Sequence, residues 1–398
     1  MLTIRSLTIE EMPAYRALSS ICFSYHVPEA DLAVKEMSPE RLHEVYGAFD
    51  ENNHLVGCMT QIAMDVRFEG HDARMLGIGG VVTDPADRRR GAIRQLFEEG
   101  LPRLYHEGYV FSTLYPFSHV FYRKFGYELG IIRRYTEVPV HAIRKDLRPA
   151  ARIRRLLPTE PDCGMEEVYR EYIRRKNLAV IRREGHWHDL RKGTPWENGK
   201  FTYVFFDADD KPMAYWTGTV AKEGETAKLT INDLAYTSRQ GLESMFAMFA
   251  TMNEWEAVRL QTPADTDMRF LVTDPYDVGE HLRCGGMVRV MNVEKALALL
   301  PAPPVSGSFT VAVEDGQIPE NCGLFRVESD GERLAVTRLA EGTADLKCSI
   351  GGLSVLVVGS MDFDDAIDAG MGELLTPDKR RLLALTFCRR KTHLHNYF

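Results

Sequence analysis

Residues 79–94, Gly-Gly-Val-Val-Thr-Asp-Pro-Ala-Asp-Arg-Arg-Arg-Gly-Ala-Ile-Arg, constrain what this chain can fold into more than any other stretch. The pattern reads as an apolar strand, a proline-containing turn and a helix from about Gly91 to His106. Three arginines, Arg88, Arg89 and Arg90, sit where that helix begins. A helix N-terminus carries partial positive charge and unpaired N–H groups, so cations there oppose the dipole. They make physical sense if an anion rests on the helix start, clamped by amides and guanidinium groups together. Gly91, having no Cβ, lets the backbone approach such an anion closely. A solvated basic helix start is the plainer alternative; the strand before it and the amphipathic helix after it favour the cradle.

The rest of the chain sets bounds. Its 398 residues are many for one core and predict two or three domains. Hydrophobic residues at 44% and charged residues at 27% fit a globular protein rather than a disordered one. A formal net charge of -8 argues against nucleic acid or acidic membranes as partners of the whole molecule. The opening Met1-Leu2-Thr3-Ile4-Arg5 lacks the regions of a signal peptide, and no apolar run reaches membrane-spanning length. Seven cysteines without paired spacing indicate reduced thiols, and the expected location is cytoplasmic.

Strands and helices alternate through the first part. A strand at Leu2–Ser6 is followed by a helix over Glu10–Cys22, strands at Tyr46–Phe49 and Leu55–Arg67, the Gly91 helix and a strand at Val110–Tyr115. A short helix within Ser118–Tyr127 ends at Gly126, and a strand over Arg133–Val138 closes this part as an α/β sandwich. The basic stretch Arg144–Arg155 reads as a solvated linker, because it lacks interleaved aromatics. Beyond it, strands at Tyr203–Phe206, Met213–Val220 and Lys228–Ala235, a helix over Gly241–Asn253 and a strand at Ala257–Gln261 repeat the earlier order. Thr237-Ser238-Arg239-Gln240-Gly241 is too poor in Arg and Gly to be a second cradle. The link Pro301-Ala302-Pro303-Pro304 breaks the chain before further strands and two helices, Ile350–Val358 and Phe363–Gly370.

A strand followed by Arg-x-x-Gly-x-Ile at the head of a helix resembles the pyrophosphate cradle of GNAT N-acyltransferases. Taken with the run Phe121–Tyr127, the segment Val288-Arg289-Val290-Met291-Asn292-Val293 and the ending Asn396-Tyr397-Phe398, the chain is similar over essentially its full length to the Eis-type (enhanced intracellular survival) N-acetyltransferases. The cradle is common to the whole superfamily, and the other three segments narrow it. The resemblance implies an α/β (α+β) fold: two tandem GNAT acyltransferase folds followed by a sterol-carrier-like α/β domain. Residues 1–146 would be the acetyl-CoA-binding catalytic domain and 147–300 a GNAT-like domain without a cradle. Residues 301–398 would form the sterol-carrier-like domain, whose C-terminus reaches the active site. It further implies acetyl-CoA as co-substrate, no metal, a homo-oligomer (hexameric in the family), and acetylation of a primary amine on a small molecule or a lysine side chain.

Site residues follow from the same resemblance. Val81, Val82 and Thr83 would pair with the pantetheine arm and polarise the thioester carbonyl. Arg89, Arg90, Gly91, Ala92, Ile93 and Arg94 would wrap the pyrophosphate with Arg88 at the edge, and Phe117 and Ser118 would touch the cofactor from the next strand end. Tyr122 matches the general acid, with Tyr127 its chief competitor. A phenol near pKa 10 gives its proton to a thiolate near 8.5 at a cost of about 2 kcal/mol in water, which proximity in a dry site offsets. The terminal carboxylate, on Phe398, matches the base. Deprotonating an ammonium of pKa near 10 at pH 7 costs about 4 kcal/mol, so the carboxylate orients the amine or takes its proton through water.

Departures from the family narrow the substrate. Tyr397 stands where aminoglycoside-acetylating members carry an acid, and Cys22-Phe23-Ser24-Tyr25-His26 has no acid either; Glu29 and Asp31 are the nearest substitutes. A polycationic acceptor therefore lacks electrostatic support. His186-Trp187-His188 and His393-Leu394-His395 have spacings that put two imidazoles on one face of a strand, but neither has a third ligand nearby, so no metal is expected. Two other classes of function compete: a lipid or apolar-ligand carrier with a vestigial acyltransferase, and an oligomer-forming scaffold. An intact cradle together with Tyr122 favours the enzyme.

Overall fold

The computed structural model describes residues 2–32, 44–223 and 226–395. Two compact units emerge. One contains the residues up to Gly130 together with Gly286–Arg390, the other Ile131–Gly285 with Lys391–His395.

In the first unit, strands β1 (Thr3–Ser6), β2 (Val45–Phe49), β3 (Leu55–Phe68) and β4 (His71–Thr83) form an antiparallel meander. Helix α1 (Met12–Phe23) lies between β1 and β2 in sequence. Helix α2 (Ala92–His106) then carries the chain over to β5 (Phe111–Leu114), which runs parallel to β4. A helical crossover of this kind is the ordinary route between parallel neighbours. The face of α2 that bears Leu96, Phe97, Leu101 and Leu104 is buried against Val56, Met59, Leu76 and Leu114, whereas Glu98 and Glu99 are exposed. Each large apolar side chain so buried contributes about 1.5–3 kcal/mol. That is enough to keep Pro102 inside the helix, where the missing N–H and ring clash cost about 3 kcal/mol.

The sheet is completed from far along the chain. Met287–Val290 pairs antiparallel with β5, and β6 (Glu128–Leu129) pairs with its other edge. The C-terminal part of this unit is a five-stranded sheet, in the order Leu334–Leu339, Gly323–Asp330, Ser306–Glu314, Leu346–Ser349, Glu373–Leu374. Its helix Ile350–Val358 is apolar almost all round and buried almost all round, and Ser354 Oγ accepts from Val290 N at 2.8 Å. A helix at Arg380–Thr386 had no counterpart in the sequence reading.

In the second unit the sheet order is Gly279–Cys284, Ile132–Pro139, Ala257–Pro263, Thr226–Tyr236, Pro212–Glu223, Lys200–Phe206, Arg152–Arg155. The strand expected to close the first sandwich is thus present but pairs with Ala257–Pro263, from Pro139 opposite Ala257 to Arg133 opposite Pro263. Nor is the basic stretch a solvated linker throughout. Arg152–Arg155 is an edge strand against Tyr203–Phe206, and the Arg152 guanidinium lies over the Phe206 ring, 3.7 Å from its centre. His186 and His188 lie on a helix, Glu184–Arg191, so a two-residue spacing turns them to different sides rather than to one face.

Lys391–His395 dock onto this second unit. Asn177 N donates to Lys391 O, His393 N donates to Asn177 O, and Arg133 donates to Leu394 O, each at 2.8 Å. The rings of His393 and His395 stack at 5.7 Å. His395 Nε2 donates to Asn232 O at 2.6 Å, just past the point where Thr226–Tyr236 and Ala257–Pro263 cease to pair.

Candidate active site

β4 and β5 hold together only as far as Ile78 opposite Leu114. β5 then ends, and Pro116 close behind it has no N–H to give, whereas β4 runs on to Thr83. The backbone of Gly79–Thr83 therefore has no strand partner on that side among the described residues. A β-bulge sets two residues of β4, Gly80 and Val81, against the single Met59 of β3 and lets β4 turn here. Gly80 accommodates it with φ +53°, and a Cβ at that position would lie 2.8 Å from both Thr60 Oγ1 and Tyr15 OH.

The chain next makes a tight turn in which the Asp84 side chain accepts from Ala86 N, and it enters α2 with Arg89 at φ +72° and Gly91 at φ +84°. Gly91 is the N-cap and offers no side chain to the first N–H groups of the helix. A Cβ on Gly91 would meet nothing within 4 Å, because the space beyond it is a cavity of about 1030 Å³. That volume is at the upper end for ligand pockets, and an uncapped helix start with guanidinium groups around it suits a diphosphate.

Val81, Val82, Thr83, Arg88, Arg89, Gly91, Ala92, Ile93, Arg94 and Phe117 all line this cavity. Arg88, Arg89 and Arg94 form no ion pair among the described residues and are exposed. Arg90 is turned elsewhere: it binds Asp87 at 2.6 Å and Asp50 at 3.6 Å and does not line the cavity. Ser118 is not part of the wall either, since its Oγ caps α3 (His119–Arg123) by accepting from Phe121 N.

The two tyrosines are in different circumstances. Tyr127 is fully enclosed, and its hydroxyl lies 2.6 Å from Ser112 Oγ, which itself donates to Leu76 O; Tyr127 is therefore the donor of the pair. Burial pushes its phenol up to about 12, against the lowering effect of Ser112. The Tyr122 ring, 2% exposed, packs edge-on to Phe97, Phe117 and Phe121, two of which line the cavity. Its hydroxyl makes no hydrogen bond among the described residues. Burial raises its pKa further, so at neutral pH it is a protonated hydroxyl able to donate.

The cavity also has walls for which the sequence indicated no cofactor role, some of them in segments marked there for other reasons. Glu98 follows Arg94 by one turn, and Cys22 and Phe23 end α1, with the Cys22 thiol donating to Thr83 O at 3.4 Å. Phe121, Lys124 and Phe125 belong to α3 and the turn after it. Gln317 comes from the loop after Ser306–Glu314, 193 residues beyond Lys124, and carries no local signal. Phe398, with Asn396 and Tyr397, lies outside the described residues. No group of three His, Cys, Asp or Glu among the described residues is arranged to hold a metal ion.

Residues 3–130 match the model of an acetyltransferase (GNAT) domain, residues 178–290 match a second model of the same description, and residues 293–393 match a sterol carrier protein domain. The chain belongs to the GNAT N-acetyltransferases. Three solved structures share the arrangement over 100% of both chains. They are a GCN5-related N-acetyltransferase from Anabaena variabilis (19% identity, TM-score 0.88), a conserved protein of unknown function from Enterococcus faecalis given as a probable N-acyltransferase (20%, 0.86), and Eis1 from Mycobacterium abscessus (18%, 0.83). The Eis-type fold of two GNAT domains and a sterol carrier domain is thus present throughout. No curated protein matches the sequence.

The second GNAT domain differs from the first at the corresponding helix, Arg239–Phe249. Ser238 caps it by accepting from Gly241 N, and Arg239 is paired with Glu243 at 2.7 Å. A Cβ at Gly241 would lie 2.6 Å from Met213 O. There the glycine serves helix–strand packing, not approach to an anion.

Proposed function

We propose that the cavity at the start of α2 holds acetyl-CoA and that the chain transfers its acetyl group directly to a primary amine. The observation that carries this reading is the uncapped, arginine-ringed helix start beside two parted strands. In it, the N–H groups at Gly91–Arg94 and the side chains of Arg88, Arg89 and Arg94 hold the pyrophosphate. The free edge of Val81–Thr83 pairs with the pantetheine amides and donates to the thioester oxygen, whose charge grows as the amine attacks. The C–N bond forms, the C–S bond breaks, and Tyr122 stabilises the departing sulfur and returns a proton to it. The Phe398 carboxylate orients the amine and receives its proton, directly or through water. No protein nucleophile is required. The residues up to Gly130 supply the catalytic domain, short of the expected 146 because Ile132–Pro139 pairs within the second unit; Ile131–Gly285 form the domain without a cradle, short of the expected 300 because Met287–Val290 complete the catalytic sheet; and 301–398 supply the third domain. A cytoplasmic homo-oligomer is consistent with seven free thiols, and no helix among the described residues is long and apolar enough to cross a membrane.

Replacing Arg89 and Arg94 together with alanine removes charge-assisted contacts worth about 1.5–3 kcal/mol each. Calorimetric titration with CoA at moderate salt tests this: affinity should fall by more than a hundredfold. Unchanged affinity would refute the assignment.

A further inference from the structure

The second acyltransferase fold repeats the parted strands of the first, with a different occupant. In the first, β4 and β5 stop pairing at Ile78, and Gly80 and Val81 bulge just beyond. In the second, Thr226–Tyr236 and Ala257–Pro263 pair only from Lys228 to Thr230. A bulge follows at the matching place. Ile231 faces Gly218 and Asp233 faces Thr217, so Asn232 is the extra residue. Past Thr230 this edge has no strand partner on that side among the described residues.

The chain's own segment Lys391–His395 is seated at that opening. His395 Nε2 donates to the carbonyl of the bulged Asn232 at 2.6 Å, and because a carbonyl only accepts, Nε2 carries the ring proton. On the other flank Arg133 donates to Leu394 O at 2.8 Å, and Arg133 stands opposite Pro263, the last residue of the other parted strand. Asn177 holds the near end of the segment through Lys391 O and His393 N, and the side chains of His393 and Leu394 are buried. Beneath His395 the floor is fixed. Asp233 accepts from Arg182 at 2.7 and 3.0 Å and from the Tyr215 hydroxyl at 2.7 Å, all of them buried, and its Oδ1 lies 3.9 Å from His395 Nε2. A saturated buried carboxylate of this kind sets a stationary negative charge beside the imidazole N–H.

Chain ends ordinarily fray, and this one is held on three sides. Only Asn396, Tyr397 and Phe398 follow His395, and three residues span at most about 10 Å. Wherever His395 is seated, the terminal carboxylate is confined to that radius. We propose that His395, seated on Asn232 at the parted strands of the second domain, is a positioning residue for the acetyl transfer, fixing the point from which the Phe398 carboxylate acts. The second domain thereby receives the chain's own end at the place where the first receives the pantetheine arm. This rests on the reading that the Phe398 carboxylate serves the reaction.

The test uses the full chain as wild type, His395→Ala and His395→Gln, the last keeping an N–H at similar reach. Wild type and His395→Ala are also made with a few glycines appended to Phe398. Amide exchange at His393 and Asn177 reads docking, calorimetry reads CoA affinity, and release of free thiol from acetyl-CoA reads turnover. His395→Ala should lower protection of both amides by about fivefold and kcat by about tenfold, with CoA affinity unchanged. His395→Gln should recover most of both losses. In the glycine-extended chain His395→Ala should cost nothing further, because both changes act through one carboxylate, whereas a merely structural role would add its loss. Unchanged protection in His395→Ala, lost protection with wild-type kcat, or additive losses would each overturn the inference, while the drop in turnover on extension alone keeps the carboxylate reading. If the extended chain turns over as fast as wild type, both fall.

Discussion

Tyr122→Phe and Tyr127→Phe each delete one hydroxyl, and the structure predicts opposite consequences. The Tyr127 hydroxyl is the donor in a buried 2.6 Å bond to Ser112, so its removal costs about 1 kcal/mol of stability, the usual net worth of such a bond. The Tyr122 hydroxyl has no partner among the described residues, and its removal should change stability by less than about 0.5 kcal/mol. Turnover should behave the other way. A positioned acid contributes about 10²–10⁴ in rate, so Tyr122→Phe should reduce kcat by a hundredfold or more while Tyr127→Phe stays within a few-fold of wild type. CoA affinity should be unaffected by either change, because neither hydroxyl belongs to the arginine-lined helix start. The assay is release of free thiol from acetyl-CoA with an amine panel as acceptor, run beside denaturant unfolding of the same preparations. A large loss of turnover in Tyr127→Phe with near-normal turnover in Tyr122→Phe would refute the assignment, however the stabilities fall.

Gly91→Ala places a methyl group in the open space of the cradle at φ +84°; it should cost about 1–2 kcal/mol of stability and weaken CoA binding well beyond that loss, and unchanged calorimetric affinity would contradict the cradle. His393 and His395 are both held below the usual histidine pKa, chiefly by burial, with Lys176, Arg182 and Arg133 opposing a second charge; Asp233 partly offsets this at His395. Since the undocked rings would take protons near pH 6.5 and the docked ones do not, docking of Lys391–His395 is complete above that pH and weakens below it by up to about 1.4 kcal/mol per ring per pH unit. The protection factor of the His393 amide, its exchange rate corrected for the base-catalysed intrinsic rate, should therefore fall as pH drops from 7.5 to 5.5, and Asn substitution at both histidines should flatten that response. Amidating the C-terminus, or appending a few glycines to Phe398, should lower turnover strongly with CoA affinity intact; a C-terminally tagged enzyme as active as the untagged one contradicts a role for that carboxylate.

What could be read from the sequence was whatever neighbours in the chain specify for one another. A strand, a proline turn, Gly91 and a heptad-like run of apolar residues define the entry to α2 without help from elsewhere, because caps and amphipathic periods are local. The same holds for the meander before it and for the repeated order of elements after residue 200. Partner choice is not local. Ile132–Pro139 is evident as a strand, yet its place beside Ala257–Pro263, and the place of Met287–Val290 beside β5, depend on hydrogen-bonding edges made available more than a hundred residues away. Side-chain roles divide along the same line. Arg88, Arg89 and Arg90 are equivalent as letters, and only the fold brings Asp50 to Arg90 and leaves the other two without an ion pair among the described residues. His186 and His188 had a strand-like spacing, but the helix that forms there separates them. Gln317 and Asp315 had no motif, and Arg289 was legible only as part of the segment Val288–Val293, since a buried ion pair and an orphaned acceptor exist only once distant segments have closed around them.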